Sequence, residues 1–238
     1  LKDVKDVLDY TPGFAGKSKD SFIDTVSIRG ISSNDFGVGG DPSVGIFKDG
    51  VYQGRNGSAV TSFFDMERVE ALRGPQGFLY GRNAISGTIS MTTNKPHSDY
   101  MEGLVSVDFG QRGMSQQEVM LNLPINDEWA VRFAGYRGKE DGYVKNHFAD
   151  DLDDLISYDN KAFRVSLGYV GENFDATLRV ESENRDQSGS VYIANNTQNI
   201  LSDQGITLRG SEFELDSDLA GGDRDDGTVS GASLSLNW

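Results

Sequence analysis

The sequence predicts a small mixed α/β domain followed by an incomplete transmembrane antiparallel β-barrel, of which about six strands are present. In residues 1–96, one short helical pattern and several short apolar runs are separated by glycine-rich links. Beyond Pro96, apolar residues alternate with polar ones over long segments, as in strands with two different faces. The links between these segments are short at one end and long at the other, which is typical of outer-membrane barrels.

The N-terminal domain is predicted to begin with a helix, because Val4, Val7 and Leu8 share one helical face before a Thr-Pro-Gly stop at 11–13. Residues 62–68 (SFFDMER) are predicted to form a helical turn. Apolar runs bounded by glycine-rich links predict four short strands, at 25–29, 44–47, 69–72 and 88–92.

The second half is predicted to contain six strands. In 163–170, for example, Phe163 and Leu167 fall on one face, whereas Arg164 and Ser166 fall on the other. The predicted strands lie at 104–109, 119–123, 129–135, 163–170, 174–185 and 232–238.

The connections predict how this sheet is oriented. Residues 126–128 and 171–173 form tight turns, whereas 147–160 and 188–228 are long polar loops. Residues 111–114 are an exception, because they form a short link on the long-loop side. In outer-membrane barrels the short turns face the periplasm.

A soluble antiparallel sandwich is the alternative, because its strands also alternate. Aromatic residues near the strand ends, such as Trp129, Tyr169 and Trp238, favour a barrel with aromatic belts. Charges on the opposite face, such as Arg179 and Glu181, suit a hydrated or filled lumen.

Composition excludes several classes of protein. The chain has 238 residues and a mean hydropathy of -0.46, which predicts no membrane-spanning helix. Its 37 acidic residues outnumber its 22 basic ones, giving a net charge of -15, which disfavours nucleic acid as a partner. The absence of cysteine excludes disulfides and thiolate zinc sites.

Other motifs do not support a catalytic or metal site. Residues 13–18 end like a phosphate-binding loop, but Thr11 stands where that motif needs glycine. His97 and His147 lack companions at ligand spacing, and the acidic clusters at 150–154 and 216–226 do not fit a twelve-residue calcium loop. We therefore expect no enzyme activity, no cofactor and no metal site, and we interpret the acidic clusters as solvated loops.

Three charged residues lie within β-like runs of the N-terminal domain: Arg29, Glu70 and Arg73. A buried, unpaired ion is costly, so these residues need partners. Glu70 can neutralise one arginine, and the remaining positive charge calls for carboxylates elsewhere. Ordinary stabilising ion pairs are the alternative interpretation.

The segments IRG (28–30), FKDGVY (47–52) and, above all, ERVEALRGPQGFLYGRNAISGTISMTTNKP (67–96) resemble the plug domain of TonB-dependent receptors. The departures from the family pattern are Ala71, Phe78 and Ser86, and none of them changes a charge. The resemblance implies a plug domain at 1–96 and the N-terminal part of an outer-membrane β-barrel at 97–238.

The resemblance also implies roles for particular residues. In the family, barrel glutamates hold the arginines of the IRG and LRGP segments, which implies that Arg29, Glu70 and Arg73 anchor the plug to the barrel. Apical plug loops form the floor of the substrate pocket in this family, and here they correspond to 32–42 and 53–58. The substrate-binding residues implied are Asp35, Phe36, Arg55 and Asn56.

A function follows from the same resemblance. It implies active transport of a scarce nutrient (an iron–siderophore complex, cobalamin or a glycan) across the outer membrane, with the plug gating the lumen. The expected partners are TonB, acting with ExbB and ExbD in the inner membrane, outer-membrane lipid and the nutrient. A ligand-sensing receptor or an adhesin without import is the alternative. We expect the chain to be a fragment, without the TonB box and most of the barrel.

Overall fold

The computed structural model describes residues 2–16, 26–32, 42–54, 61–81, 83–147, 154–188, 214–215 and 224–238. Two larger sheets organise these residues. The N-terminal unit contains α1 (Val4–Tyr10), β1 (Phe14–Gly16), β2 (Val26–Ile28), β3 (Val44–Lys48), β4 (Val51–Tyr52), β5 (Met66–Arg73), α2 (Gly77–Tyr80) and β6 (Gly87–Thr93). The second part contains β7 (Glu102–Phe109), β8 (Ser115–Pro124), β9 (Trp129–Glu140), β10 (Lys145–Asn146), β11 (Tyr158–Val170), β12 (Asp175–Ser188), β13 (Glu214–Leu215) and β14 (Arg224–Asn237).

The predicted N-terminal helix is confirmed as α1. The Asp3 side chain accepts a hydrogen bond from the Lys5 amide at 2.7 Å and so caps the first turn. Val4, Val7 and Leu8 are buried, as their spacing predicts. No helix in the described ranges is long and apolar enough to cross a membrane.

The sheet of the N-terminal unit has the strand order β4-β3-β6-β5. Strands β3 and β6 are parallel, whereas β5 pairs with β6 in the antiparallel sense. An apolar core forms where α1 and the β1–β2 hairpin pack on this sheet. Its buried members are Val4, Leu8, Phe14, Ile28, Val44, Ile46, Ile89 and Met91.

The prediction of a helical turn at 62–68 is wrong. Residues 61–64 have no regular secondary structure, and β5 already begins at Met66. The reason lies in tertiary contacts, because Met66 pairs with Thr93 of β6 and Phe64 and Asp65 are buried against the second sheet. A local helical turn would break this pairing.

All six predicted strands of the second half are confirmed in one antiparallel sheet of order β14-β12-β11-β9-β8-β7. Tight turns close the hairpins at one end, with the Ile125 amide donating to the Trp129 carbonyl and the Gly171 amide to the Phe174 carbonyl. Strands β7 and β14 form the two edges and do not pair with each other in the described residues. This part of the barrel is therefore unclosed.

Several strands are longer than predicted, and they include residues at the ends of the loops expected at 147–160 and 188–228. Strand β11 already begins at Tyr158, which is in register with Glu140 of β9, and Ser188 of β12 is in register with Arg224 of β14. Polar residues at the strand ends hide this extension from an analysis of alternation. Between the strand ends, β10 pairs in parallel with β13.

The faces of this sheet are reversed relative to a soluble protein. Phe163 and Leu234 on the apolar face are 52% and 61% exposed, whereas Arg164 and Ser166 on the polar face are each 2% exposed. A sandwich would bury the apolar face and leave the polar face in water. The observed burial fits a barrel whose apolar face meets lipid, and the sandwich alternative is wrong.

Gly87 lies at a close approach in the N-terminal unit. A Cβ there would lie 2.3 Å from the Leu72 carbonyl oxygen and 2.4 Å from Ile28 Cδ1. We expect Gly87→Ala to lower the free energy of unfolding by about 1–3 kcal/mol, because the backbone of β5 would have to move. Urea unfolding of the purified protein in detergent measures this loss. Gly77→Ala is the matched control, since a Cβ at Gly77 meets no atom within 4 Å, and equal midpoints for both variants would contradict the prediction.

Candidate functional site: the ionic interface between the two sheets

The buried polar face of the six-stranded sheet packs against one side of the N-terminal unit. Among the described residues the apolar contact between them is small, because the buried cluster there comprises Phe64, Ala134 and Ala162, with Tyr136 packed against it. Charged and hydrogen-bonding side chains make most of the described contacts. This interface is the candidate functional site.

Asp65 lies at the centre of the interface. Arg132 of β9 binds its carboxylate with two nitrogens, Nε to Oδ2 at 2.9 Å and Nη2 to Oδ1 at 2.6 Å. Arg164 of β11 lies 3.9 Å from the same carboxylate and donates to the main-chain oxygens of Phe64 and Asp65 at 3.2 and 3.3 Å. One carboxylate is therefore shared by arginines of two neighbouring strands.

A second group of ion pairs continues along the sheet. Arg164 Nε lies 3.3 Å from Glu181 of β12, and Glu181 accepts a hydrogen bond from Lys48 of the N-terminal unit at 2.8 Å. Arg179 Nη1 lies 2.6 Å from Asp49 Oδ2. Charges of both signs thus alternate across this part of the interface, so Arg164, Arg179 and Glu181 each have a neighbour of opposite charge.

Glu183 contacts uncharged hydrogen-bond donors of the N-terminal unit. Its carboxylate accepts hydrogen bonds from the Ser62 amide at 3.1 Å and the Ser62 hydroxyl at 2.9 Å. Glu118 of β8 similarly accepts from the Asp65 amide at 2.8 Å. The main-chain amides of Ser62 and Asp65 are therefore satisfied by side chains of the opposite sheet.

Near the long-loop ends of the strands, Lys2 contacts the sheet beside a cavity of about 480 Å³. Lys2 Nζ donates to Glu140 at 3.1 Å and to the Tyr158 hydroxyl at 3.2 Å, and Arg112 approaches the same carboxylate. Burial lowers the pKa of Lys2, but the bonds to Tyr158 and Glu140 outweigh it and raise the pKa above its ordinary value.

The residues predicted to anchor the plug lie on the other side of the N-terminal unit. Arg29, Glu70 and Arg73 are exposed, and among the described residues their hydrogen bonds stay within that unit. Glu70 accepts from Arg68 at 3.2 Å, and Arg73 donates to the Pro12 carbonyl at 3.2 Å. The expectation that these charges are buried is not met in the described residues, and their anchoring role stays a prediction.

The predicted substrate-binding residues, Asp35, Phe36, Arg55 and Asn56, lie outside the described residues. No group of three or more histidine and acidic side chains is placed to hold a metal ion in the part of the chain that the structure describes.

The acidic residues on the plug side of the interface, Asp49 and Asp65, could not be recognised from the sequence. They lie next to short strands and look like ordinary turn residues. The basic half gave a signal, since Arg164 and Arg179 fall on polar faces of alternating strands. Arginines on a face that must fill a lumen indicate carboxylates opposite them, although not which ones.

We expect Arg164→Gln to lower the free energy of unfolding by about 3–5 kcal/mol, because it leaves buried carboxylates without their shared partner. The urea midpoint in detergent measures the loss. Arg137→Gln is the matched control, because Arg137 pairs with Asp159 on the exposed face and should cost about 0–1 kcal/mol. Similar losses for the two variants would show that the interface does not depend on this guanidinium.

Comparison with known proteins places this architecture in a family. The model of the TonB-dependent receptor plug domain matches residues 1–88. The pesticin receptor of Yersinia pestis is 39% identical over 107 residues, which are 43% of this chain and 15% of that receptor. The catecholate siderophore receptor Fiu of Escherichia coli K12 is 32% identical over 136 residues, 55% of this chain and 16% of that receptor. The chain thus spans less than a fifth of the length of these curated relatives.

Solved structures agree in fold. The ferric yersiniabactin uptake receptor FyuA from Yersinia pestis has a TM-score of 0.71 and 25% identity, covering 79% of this chain and 29% of that chain. The ferripyoverdine receptor of Pseudomonas aeruginosa has a TM-score of 0.72 at 15% identity, covering 99% of this chain and 29% of that chain. These relatives are receptors and uptake proteins rather than enzymes. Residues 1–88 thus match the plug domain of TonB-dependent receptors, and the chain resembles the plug and part of the β-barrel of solved outer-membrane receptors of this family.

Proposed function

We propose that the receptor containing this chain imports a scarce nutrient across the outer membrane, using energy delivered by TonB with ExbB and ExbD. An iron–siderophore complex is the favoured nutrient, because the matched relatives include ferripyoverdine and catecholate siderophore receptors. Cobalamin and glycans are the other candidate classes.

The observation that carries this proposal is the polar interface between plug and barrel. Salt bridges and hydrogen bonds, rather than an apolar core, hold the plug against the strands. Separating polar groups from one another lets water replace their partners, whereas separating apolar surfaces does not. A plug held in this way can shift inside a hydrated lumen without exposing a large apolar surface.

Two sets of residues complete the proposal. We propose that Arg29 and Arg73 anchor the plug by pairing with barrel carboxylates outside the six strands, and that Glu70 contributes to this anchoring by pairing with an arginine of the plug. The loops at 32–42 and 53–58 are proposed to form the pocket floor, with Asp35, Phe36, Arg55 and Asn56 contacting the nutrient. We also propose a domain boundary between residues 96 and 97, since β6 ends at Thr93 and β7 begins at Glu102.

Uptake of radiolabelled ferric siderophores by cells that express the intact receptor tests the function. We expect accumulation in cells with TonB and surface binding alone in cells without it. Binding without accumulation in both strains would favour the sensing or adhesion alternative. Neither binding nor accumulation across a panel of ferric siderophores would point to cobalamin or a glycan, which the same assay can test.

Removing both exposed arginines tests the proposed anchors. We expect the double variant Arg29→Gln, Arg73→Gln to increase ion conductance of the intact receptor in planar bilayers, because barrel carboxylates would lose their partners. Arg137→Gln is the matched control, since among the described residues Arg137 pairs with Asp159 on the exposed face of the strands and not with the plug. Unchanged conductance in the double variant would exclude this anchoring.

A further inference from the structure

Residues 93–97 connect the plug to the barrel strands, and we call them the exit segment. Several residues of this segment make polar contacts. The Thr93 amide and hydroxyl donate to Asp49 at 2.9 and 3.1 Å. Asn94 donates from Nδ2 to the Asp65 carboxylate at 2.9 Å and from its amide to the Asp65 carbonyl at 3.1 Å. Two consecutive residues are thus each held by a different aspartate.

The same two aspartates hold arginines of the barrel. Asp49 pairs with Arg179 and Asp65 with Arg132, both at 2.6 Å. Each carboxylate therefore joins the exit segment to a strand of the six-stranded sheet. Both aspartates also adopt left-handed backbone conformations, with φ values of 50° and 49°, which aspartate and asparagine tolerate better than most residues.

The rest of the exit segment lies directly on the barrel strands. A Cβ on Gly168 of β11 would lie 3.1 Å from Pro96 Cβ, so only glycine leaves room for this proline without adjustment. The His97 amide donates to Asn122 Oδ1 at 3.2 Å, and Asn122 Nδ2 donates back to the His97 carbonyl at 2.9 Å. The exit segment is therefore seated on the strands at several successive residues.

The helical side of the plug is less closely seated. Asp6 and Asp9 of α1 line the cavity of about 480 Å³ that separates this helix from the strand ends. Lys2, which bridges to Glu140, is itself 42% exposed. The contacts of the plug are thus unequal, with the exit segment on the tightly held side.

We propose that Asp49 and Asp65 form a latch that keeps the exit segment fixed to the barrel, so that the lumen opens by movement of other parts of the plug. The two aspartates are positioning residues, because they act by holding Thr93 and Asn94 against the arginines. Of the experiments below, only the import measurement rests on the proposed transport function, and the conductance measurements do not.

Ion conductance of the intact receptor in planar bilayers, without TonB, tests the latch. We expect the double variant Asp49→Asn, Asp65→Asn to conduct severalfold more than the parent, because asparagine keeps the left-handed backbone but removes the charge. Glu67→Gln is the matched control, as Glu67 is exposed and pairs with Arg68 inside the plug. Conductance of the double variant at the level of the parent would overturn the proposal.

A disulfide tests whether the aspartates act through the exit segment. The chain contains no cysteine, and a Cβ at Gly168 would lie 3.1 Å from Pro96 Cβ. The pair Pro96→Cys, Gly168→Cys therefore needs only a small outward shift to reach the roughly 3.5–4.5 Å between the Cβ atoms of a disulfide. We expect the oxidised disulfide to restore low conductance to the double asparagine variant, and reductant to abolish this rescue. A persistent leak in the oxidised form would contradict the latch.

The same disulfide in the parent receptor tests whether the exit segment stays seated during import. We expect the oxidised and reduced forms to accumulate the nutrient identified by the uptake assay at equal rates. Loss of import that reductant reverses would show that the segment must move, and would overturn the proposal. If the parent imports nothing, the transport function fails while the conductance measurements still decide the latch.

Discussion

The carboxylate of Asp65 lies in the seam between the two sheets, where water is largely excluded and a single charge would be strongly disfavoured. Arg132 and Arg164 approach it from neighbouring strands, and Glu181 and Lys48 continue the alternation of charge. Because each ion depends on the next, the plug has a defined position along the strands. The position of the plug against the described strands therefore depends on this series of ion pairs.

The barrel strands make that arrangement possible by turning their apolar residues outward. Leu178 and Val180 on β12 are exposed, while Arg179 and Glu181, which alternate with them along the strand, face the plug. In lipid an apolar outer face needs no protein partner, so the inner face is available for polar groups. A soluble sheet with the same alternation would have to bury the opposite face.

Two kinds of packing therefore coexist in one chain. The plug has an apolar core around Ile28, Ile89 and Met91, all of which are almost fully buried. Its contact with the barrel is mainly ionic and hydrogen-bonded. The core resists unfolding by excluding water from apolar surface, whereas the interface can exchange its partners for water at a smaller cost. The folding of the plug and its attachment to the barrel strands therefore depend on different interactions.

The sequence by itself determined the features that depend on local order: helix α1, the six alternating strands, their tight turns and the plug motif. It also placed Arg164 and Arg179 on the polar faces of their strands. Tertiary structure decided the rest. Residues 62–68 do not form a helical turn because Met66 pairs with β6. The long strands extend beyond the segments in which apolar and polar residues alternate, because their polar ends still pair in register. The partners of the buried arginines, Asp49 and Asp65, lie far from them along the chain, and only the packing of the plug against the six-stranded sheet brings these charges within bonding distance.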